Sequence, residues 1–258
     1  MTREELRKDN EAIVQMVGIG KTFGAVKALS DVDLTINKGE VLGLVGDNGA
    51  GKSTIVKILS GVYQPDAGTV YFDGKPANWK SPRQARLSGV ETVYQDLALI
   101  GLMSISREFF LGQEPIKQDR LSTLFGRLDS RKMSSEAARS LAEIGITSRK
   151  PNDTVGTLSG GEKQAIAIGR AMYFGAKLLI LDEPTAALSV KETERVLELI
   201  RELRNKGLAI VYITHNIYHV YSVADRFAVL ERGIKIADLR KDECTAQDIM
   251  NMVSGKTG

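Results

Sequence analysis

Apolar residues in this chain fall into short strand-length runs separated by helical patterns, an order that predicts an α/β fold. Residues 13–19 form an apolar run, and residues 29–36 alternate apolar and polar positions as a half-exposed strand does. Residues 69–72 end in Asp73-Gly74, a hairpin turn signal. The first segment is therefore β-rich. Residues 40–45, 178–181 and 208–213 are almost continuously apolar, the mark of strands covered on both faces of a parallel sheet. Residues 55–60 read as a helix that stops at Gly61. Ser81-Pro82 begins a short helix with proline in its first turn, Gly89 ends it, and residues 90–94 form a further strand.

From residue 96 to about 156 the alternating runs vanish and helical patterns replace them, notably residues 134–144 closing at Gly145. This is a helical insertion in the α/β core. Ser159 with Glu162, and Ser189 with Glu192, each have the S-x-x-E spacing of a capping box. They open helices that stop at Gly175 and Gly207. Residues 226–230 and 234–237, joined at Arg232-Gly233, read as a hairpin, and Thr245 caps a last short helix. Residues 1–10 are charged and are expected to be a frayed tail.

Chemistry enters at residues 46–54. Gly46-Asp47-Asn48-Gly49-Ala50-Gly51-Lys52-Ser53-Thr54 matches G-x-x-x-x-G-K-[ST], the phosphate-binding loop, with a strand before it and a helix after it. Glycines let backbone N–H groups turn onto phosphate oxygens with no Cβ in the way. The helix N-terminus adds partial positive charge. Lys52 can neutralise the β- and γ-phosphates, and the Ser53 hydroxyl can ligate Mg²⁺. A second strand ends in Asp182-Glu183. Its carboxylates fall at the sheet edge that carries the phosphate loop, Asp182 behind Mg²⁺ and Glu183 toward the attacking water.

Composition changes this picture little. The chain has 258 residues, 43% hydrophobic and 26% charged, room for one large α/β domain or two small ones. The net charge of +3 is spread out, without a basic stripe interleaved with aromatics, which argues against nucleic-acid binding. Cys244 stands alone and fits a reducing compartment. No signal peptide is visible. Residues 207–224 lack Asp, Glu, Lys and Arg, yet Thr214, His215, Asn216 and His219 interrupt them, so they read as a strand and a helix rather than a membrane span. Gly18-x-Gly20 with Gly24 misses the dinucleotide fingerprint by one residue. His215 and His219 have the i, i+4 spacing of zinc ligands, but Asn216 follows His215 where such motifs have Glu, and no third ligand is evident.

Phosphate loop, Leu158-Ser159-Gly160-Gly161-Glu162 and Asp182-Glu183-Pro184-Thr185, in this order, resemble the ABC ATPases, the nucleotide-binding subunits of ABC transporters, over about residues 12–253. The resemblance implies a phosphate-loop NTPase of ABC type: a RecA-like core (about 11–95 and 162–258) with an N-terminal antiparallel β-subdomain and a helical subdomain (about 96–161), together one domain. It implies ATP and Mg²⁺ as ligands. Phe23 matches the aromatic on which adenine stacks. Gln95 matches the glutamine that reaches Mg²⁺ and the water, beside Ser53 and Asp182. His215 matches the switch histidine that contacts the γ-phosphate and Glu183. Ser159, Gly160, Gly161 and Glu162 match the signature that binds ATP held by the opposite subunit. Two departures stand out: Glu162 where the family usually has Gln, and Ser189 where it usually has Asp in the loop crossing the dimer interface.

Within the family, Lys21-Thr22-Phe23-Gly24, Val26-Lys27-Ala28-Leu29 and Pro184-Thr185-Ala186-Ala187-Leu188 resemble the ATPases of monosaccharide importers. That implies transmembrane permease subunits and a sugar-binding protein as partners, and a homodimer or a paired ATPase subunit. It also implies a cytoplasmic place on the inner face of the membrane, without insertion. A soluble ABC ATPase of repair or translation, or another small-solute ABC transporter, is the alternative; residues between phosphate loop and signature lack the sustained heptads of repair members. A nucleotide sensor that no longer hydrolyses is disfavoured, since Lys52, Asp182, Glu183 and His215 are all present.

Overall fold

A computed structural model describes residues 11–118 and 126–255; the tail expected at residues 1–10 lies outside the described residues. Two compact units divide the chain. The first takes the described residues up to Gln95, Ala176–Ala186 and the chain from Ile200 onward; the second takes Asp96–Gly175 and Ala187–Leu199.

Among the described residues, ten strands belong to the first unit. The early β-rich segment is a four-stranded antiparallel sheet ordered β2-β1-β4-β5, from β1 (Ala12–Phe23), β2 (Val26–Asn37), β4 (Ala67–Phe72) and β5 (Lys75–Pro76). β1 and β2 are longer than their apolar runs because pairing continues to Phe23↔Val26 at the tip. The Asp73-Gly74 turn forms as expected, both residues at positive φ.

The other sheet is six-stranded, ordered β10-β9-β3-β8-β7-β6. Its members are β3 (Val41–Gly46), β6 (Val90–Val93), β7 (Leu178–Asp182), β8 (Ala209–Ile213), β9 (Arg226–Glu231) and β10 (Ile234–Arg240). The first five are parallel, and β10 returns antiparallel on β9 as the expected hairpin. β3 and β8 are buried at every position, which is why their sequences do not alternate. α1 (Lys52–Leu59) follows β3, and one hydrophobic cluster joins its Ile55 and Leu59 to Met16 and Leu34 of the antiparallel sheet and Leu44 and Val211 of the parallel one. α2 (Pro82–Ser88) ends at Gly89 in the left-handed conformation, as the sequence requires.

The second unit holds α3 (Ile105–Phe109), α4 (Ser130–Glu143) and α5 (Gly160–Tyr173). α4 starts four residues before the predicted pattern, capped by Asp129, whose side chain accepts from the Lys132 amide. α3 is one turn long and left no periodic signal. α6 (Val190–Asn205) begins in this unit, and the unit boundary falls within it. α7 (Ile217–Val223) and α8 (Ala246–Val253) belong to the first unit, α8 under the Thr245 cap.

An ion network closes the first unit. The Arg226 guanidinium donates to Glu40 Oε1 at 2.7 Å, to Asp238 Oδ1 at 2.5 Å and to the Thr35 carbonyl at 2.6 Å. Burial pulls down on its pKa, and the Glu40 and Asp238 carboxylates outweigh that pull. Arg226→Ala strands Glu40, only 8% exposed. We expect a stability loss of about 3 kcal/mol, read as a lower urea midpoint with an unchanged slope.

Candidate active site

Four neighbouring parallel strands, β3, β8, β7 and β6, bring their C-terminal ends to one edge of the sheet. The phosphate loop leaves β3, Thr214 and His215 leave β8, Glu183 follows β7, and Gln95 follows β6. A cavity of about 1020 Å³ opens there, lined by residues 46–54, Gln95, Asp182, Glu183, Thr214 and His215. These predicted residues therefore share one site. Phe23 is not among the residues lining that cavity; the wall on that side is Val26, Lys27 and Ala28. The Phe23 ring lies 5.0 Å from the Tyr63 ring, with the Lys21 ammonium 5.5 Å from its centroid.

The loop's glycines are required by contact as well as by φ. A Cβ on Gly46 (φ 151°) would lie 2.3 Å from the Leu230 carbonyl of β9, and one on Gly51 (φ 104°) 2.9 Å from the Ala28 carbonyl. Lys52 Nζ donates to the Gly46 carbonyl at 2.7 Å and the Asp47 carbonyl at 2.9 Å, leaving one ammonium hydrogen for a ligand. Burial lowers the Lys52 pKa, and Glu183, Asp47 and Asp182 offset part of it. Burial, then the neighbouring Glu183 charge, raises that of Asp182. The Ser53 hydroxyl, Gln95 amide and Asp182 carboxylate are hard oxygen donors of the kind Mg²⁺ takes.

Glu183 is held at both oxygens. Oε2 accepts from Thr214 Oγ1 at 2.8 Å; Oε1 accepts from the His215 amide at 2.9 Å and faces His215 Nδ1 at 2.9 Å. Thr214 was invisible to motif reading. The zinc spacing dissolves here: His215 is engaged by Glu183, while His219 bonds Thr185 and Asn216 instead.

The signature residues lie in the second unit. The Ser159–Glu162 capping box forms in full, with Ser159 N–H donating to Glu162 Oε2 at 2.8 Å and Glu162 N–H to Ser159 Oγ at 3.3 Å. Arg149 explains why Glu serves where Gln is usual: its guanidinium donates to both Glu162 oxygens, at 2.7 and 2.8 Å. Arg149 therefore holds Glu162 below the usual carboxylate range. The second predicted box forms too: Glu192 accepts from the Ser189 hydroxyl at 2.7 Å and amide at 3.0 Å, and its own N–H donates to Ser189 Oγ at 3.4 Å. Its other oxygen accepts from the Gly161 amide at 3.2 Å, so one carboxylate braces two helix starts. A Cβ on Gly160 would lie 2.8 Å from Leu188 Cδ2, and one on Gly161 3.0 Å from the Glu192 side chain. Neither Arg149 nor the Glu192–Gly161 contact had a sequence signal, because each joins residues distant along the chain.

Residues 29–186 match the ABC transporter family. The chain belongs to that family. This ABC ATPase is 46% identical over 242 residues to the xylose/arabinose import ATP-binding protein of Sulfolobus acidocaldarius, covering 94% of each chain. It is 44% identical to the fructose import ATP-binding protein of Rhizobium meliloti, covering 95% of each. Among solved structures, a nucleotide-free ATP-binding cassette from an ABC transporter superposes with a TM-score of 0.80 at 27% identity, over 93% of this chain and 95% of that one. A dimeric cassette in a post-hydrolysis state, bound to ADP and Pi, gives 0.72 at 26% identity, over 88% of this chain and 98% of that one. The protein is accordingly an ATP-binding ATPase with the expected α/β fold.

The Glu192 brace makes a pH prediction. The Ser189 hydroxyl and amide, with the Gly161 amide, hold this carboxyl down from 4.5 to about 2. A group depressed in the folded state stabilises it above its unfolded pKa, and that stabilisation is lost as pH falls through the folded value. The Tm of the wild type therefore declines from pH 4.5 toward 2 with a component that Glu192→Gln lacks, a difference that Tm measured against pH reads directly.

Proposed function

We propose that this ATPase powers import of a small sugar through partner membrane subunits, as one ATPase domain made of the two units described above. The site chemistry that carries this reading is Glu183, anchored at the sheet edge and facing the cavity that the phosphate loop opens. ATP phosphates lie on the amides of residues 46–54, with Lys52 supplying positive charge. Mg²⁺ held by Ser53 and Gln95, with Asp182 behind it, supplies further charge neutralisation on the phosphates. Glu183 accepts a hydrogen bond from the attacking water and sets its line toward the γ-phosphorus. His215, largely exposed and already against Glu183, turns its ring toward the γ-phosphate. Positioning and charge do the work, as phosphoryl transfer requires.

A helix N-terminus with exposed Ser159 and Gly160 suits a second phosphate, and in this reading it receives the γ-phosphate of ATP held by another copy. A homodimer, or a pair with a second ATPase subunit, then encloses two ATP, and hydrolysis reopens it. The dimeric neighbour supports this arrangement. The xylose/arabinose and fructose relatives support a sugar as cargo. A sugar-binding protein and transmembrane permease subunits complete the assembly, with this subunit on the cytoplasmic face of the membrane. No helix among the described residues is long and apolar enough to cross a membrane, which fits a peripheral position.

Glu183→Gln keeps the carboxylate's shape and removes its basicity. We expect ATP turnover to fall by roughly 10²-fold or more, and Mg-ATP to convert the variant from monomer to stable dimer by light scattering. A monomer at saturating ATP overturns the homodimer; an undiminished turnover overturns the role of Glu183.

A further inference from the structure

Behind Glu183 lies a second polar cluster that the phosphate chemistry does not use. Tyr212 of β8 is wholly buried, and burial raises its phenol pKa, so it is neutral at physiological pH. Its hydroxyl lies 2.9 Å from Thr185 Oγ1, and the same Oγ1 lies 3.0 Å from His219 Nδ1. The opposite ring nitrogen, Nε2, lies 3.2 Å from Asn216 Nδ2. The tautomer follows from the amide: Asn216 Oδ1 accepts from the His219 backbone N–H at 3.3 Å, so its NH₂ end donates to Nε2. The ring hydrogen therefore sits on Nδ1 and is donated to Thr185.

Chain position gives this cluster its meaning. Thr185 is two residues past Glu183, Asn216 directly follows His215, and Tyr212 is two residues before Thr214. The Thr185 hydroxyl thus ties the segment leaving β7 to the segment leaving β8. Those two segments carry the groups that meet at 2.9 Å between Glu183 and His215. Glu183 also stands at φ 52°, a left-handed conformation that a side-chain-bearing residue keeps only where its surroundings enforce it. Its amide donates to the Ile213 carbonyl at 2.8 Å, a backbone tie between the same segments beside the side-chain ones.

We infer that Thr185 and His219, together with Tyr212, are positioning residues for hydrolysis: they hold the Glu183 segment against the His215 segment so that the carboxylate faces the cavity at a fixed angle. This rests on the reading of Glu183 as the residue that orients water. None of the three lines the nucleotide cavity, so they act on the chemical step and leave ATP binding alone.

The test is a substitution series in the full chain, read as kcat and KM for ATP with Tm alongside. Thr185→Val keeps the volume and deletes both hydrogen bonds; kcat falls about 10-fold while KM stays within twofold. Thr185→Ser restores kcat. His219→Asn, whose amide nitrogen falls where Nδ1 was, keeps most of the rate, and His219→Leu loses as much as Thr185→Val. Adding Thr185→Val to Glu183→Gln lowers the residual rate no further, because the effect runs through Glu183. A Thr185→Val enzyme with wild-type kcat overturns the inference while the loss in Glu183→Gln stands. A serine variant as slow as the valine one overturns it as well. Wild-type turnover in Glu183→Gln would overturn the underlying reading instead.

Discussion

Phosphate must be met by backbone amides that no side chain obstructs, and around residues 46–54 that demand fixes how strands approach one another. Gly46 packs so closely on β9 that a Cβ would fall 2.3 Å from the Leu230 carbonyl. Gly51 is pressed against Ala28 at the start of β2, and the Gly233 amide in the β9–β10 turn donates to the Ala50 carbonyl at 3.0 Å. The loop is thus clamped by both sheets of its unit. Its rigidity follows from that packing, since glycines alone would leave it loose. The hydrophobic cluster joining the two sheets through residues of α1 is what keeps the clamp closed.

Charged groups gather around the same loop. Lys52 is partly desolvated, and at the end of β7 burial, then the adjacent Glu183 charge, disfavours ionisation of Asp182. An arrangement of this kind gains when a cation joins the carboxylates and an anion joins the loop. In the function proposed above, a metal-bound triphosphate supplies both. Thr214 and the His215 amide meanwhile spend their hydrogens on Glu183, which fixes the orientation of its carboxylate.

What could be read from the sequence was local. Capping boxes at Ser159 and Ser189, the Asp73-Gly74 turn and the Gly89 stop are set by residues within four positions of each other, and all four formed. The phosphate loop was legible because one stretch carries its whole chemistry. What could not be read depended on pairing across the fold. Arg149 meets Glu162 from 13 residues away, Glu192 meets Gly161 from 31, and Thr214 meets Glu183 from 31. The zinc-like spacing of His215 and His219, set aside in the sequence for want of a Glu after His215 and of a third ligand, has a simple structural reason for failing: α7 begins only at Ile217. His215 lies before the helix and turns the other way, to Glu183. The short α3 was missed because a single turn holds too few residues for a period to register.

The two departures from the family's usual residues are each consistent with their surroundings. Glu162 adds a charge at a helix start that receives phosphate in the function proposed above, and Arg149 cancels it with two hydrogen bonds while leaving the capping box whole. At Ser189 the change runs the other way and removes a carboxylate. An Asp there would stand where the Ser189 hydroxyl now donates to Glu192 at 2.7 Å. Two carboxylates would then compete for the same helix-start amides, and the hydrogen that binds Glu192 most closely would be gone. Serine lets Glu192 keep that bond and still reach the Gly161 amide, so the start of α6 stays joined to the start of α5.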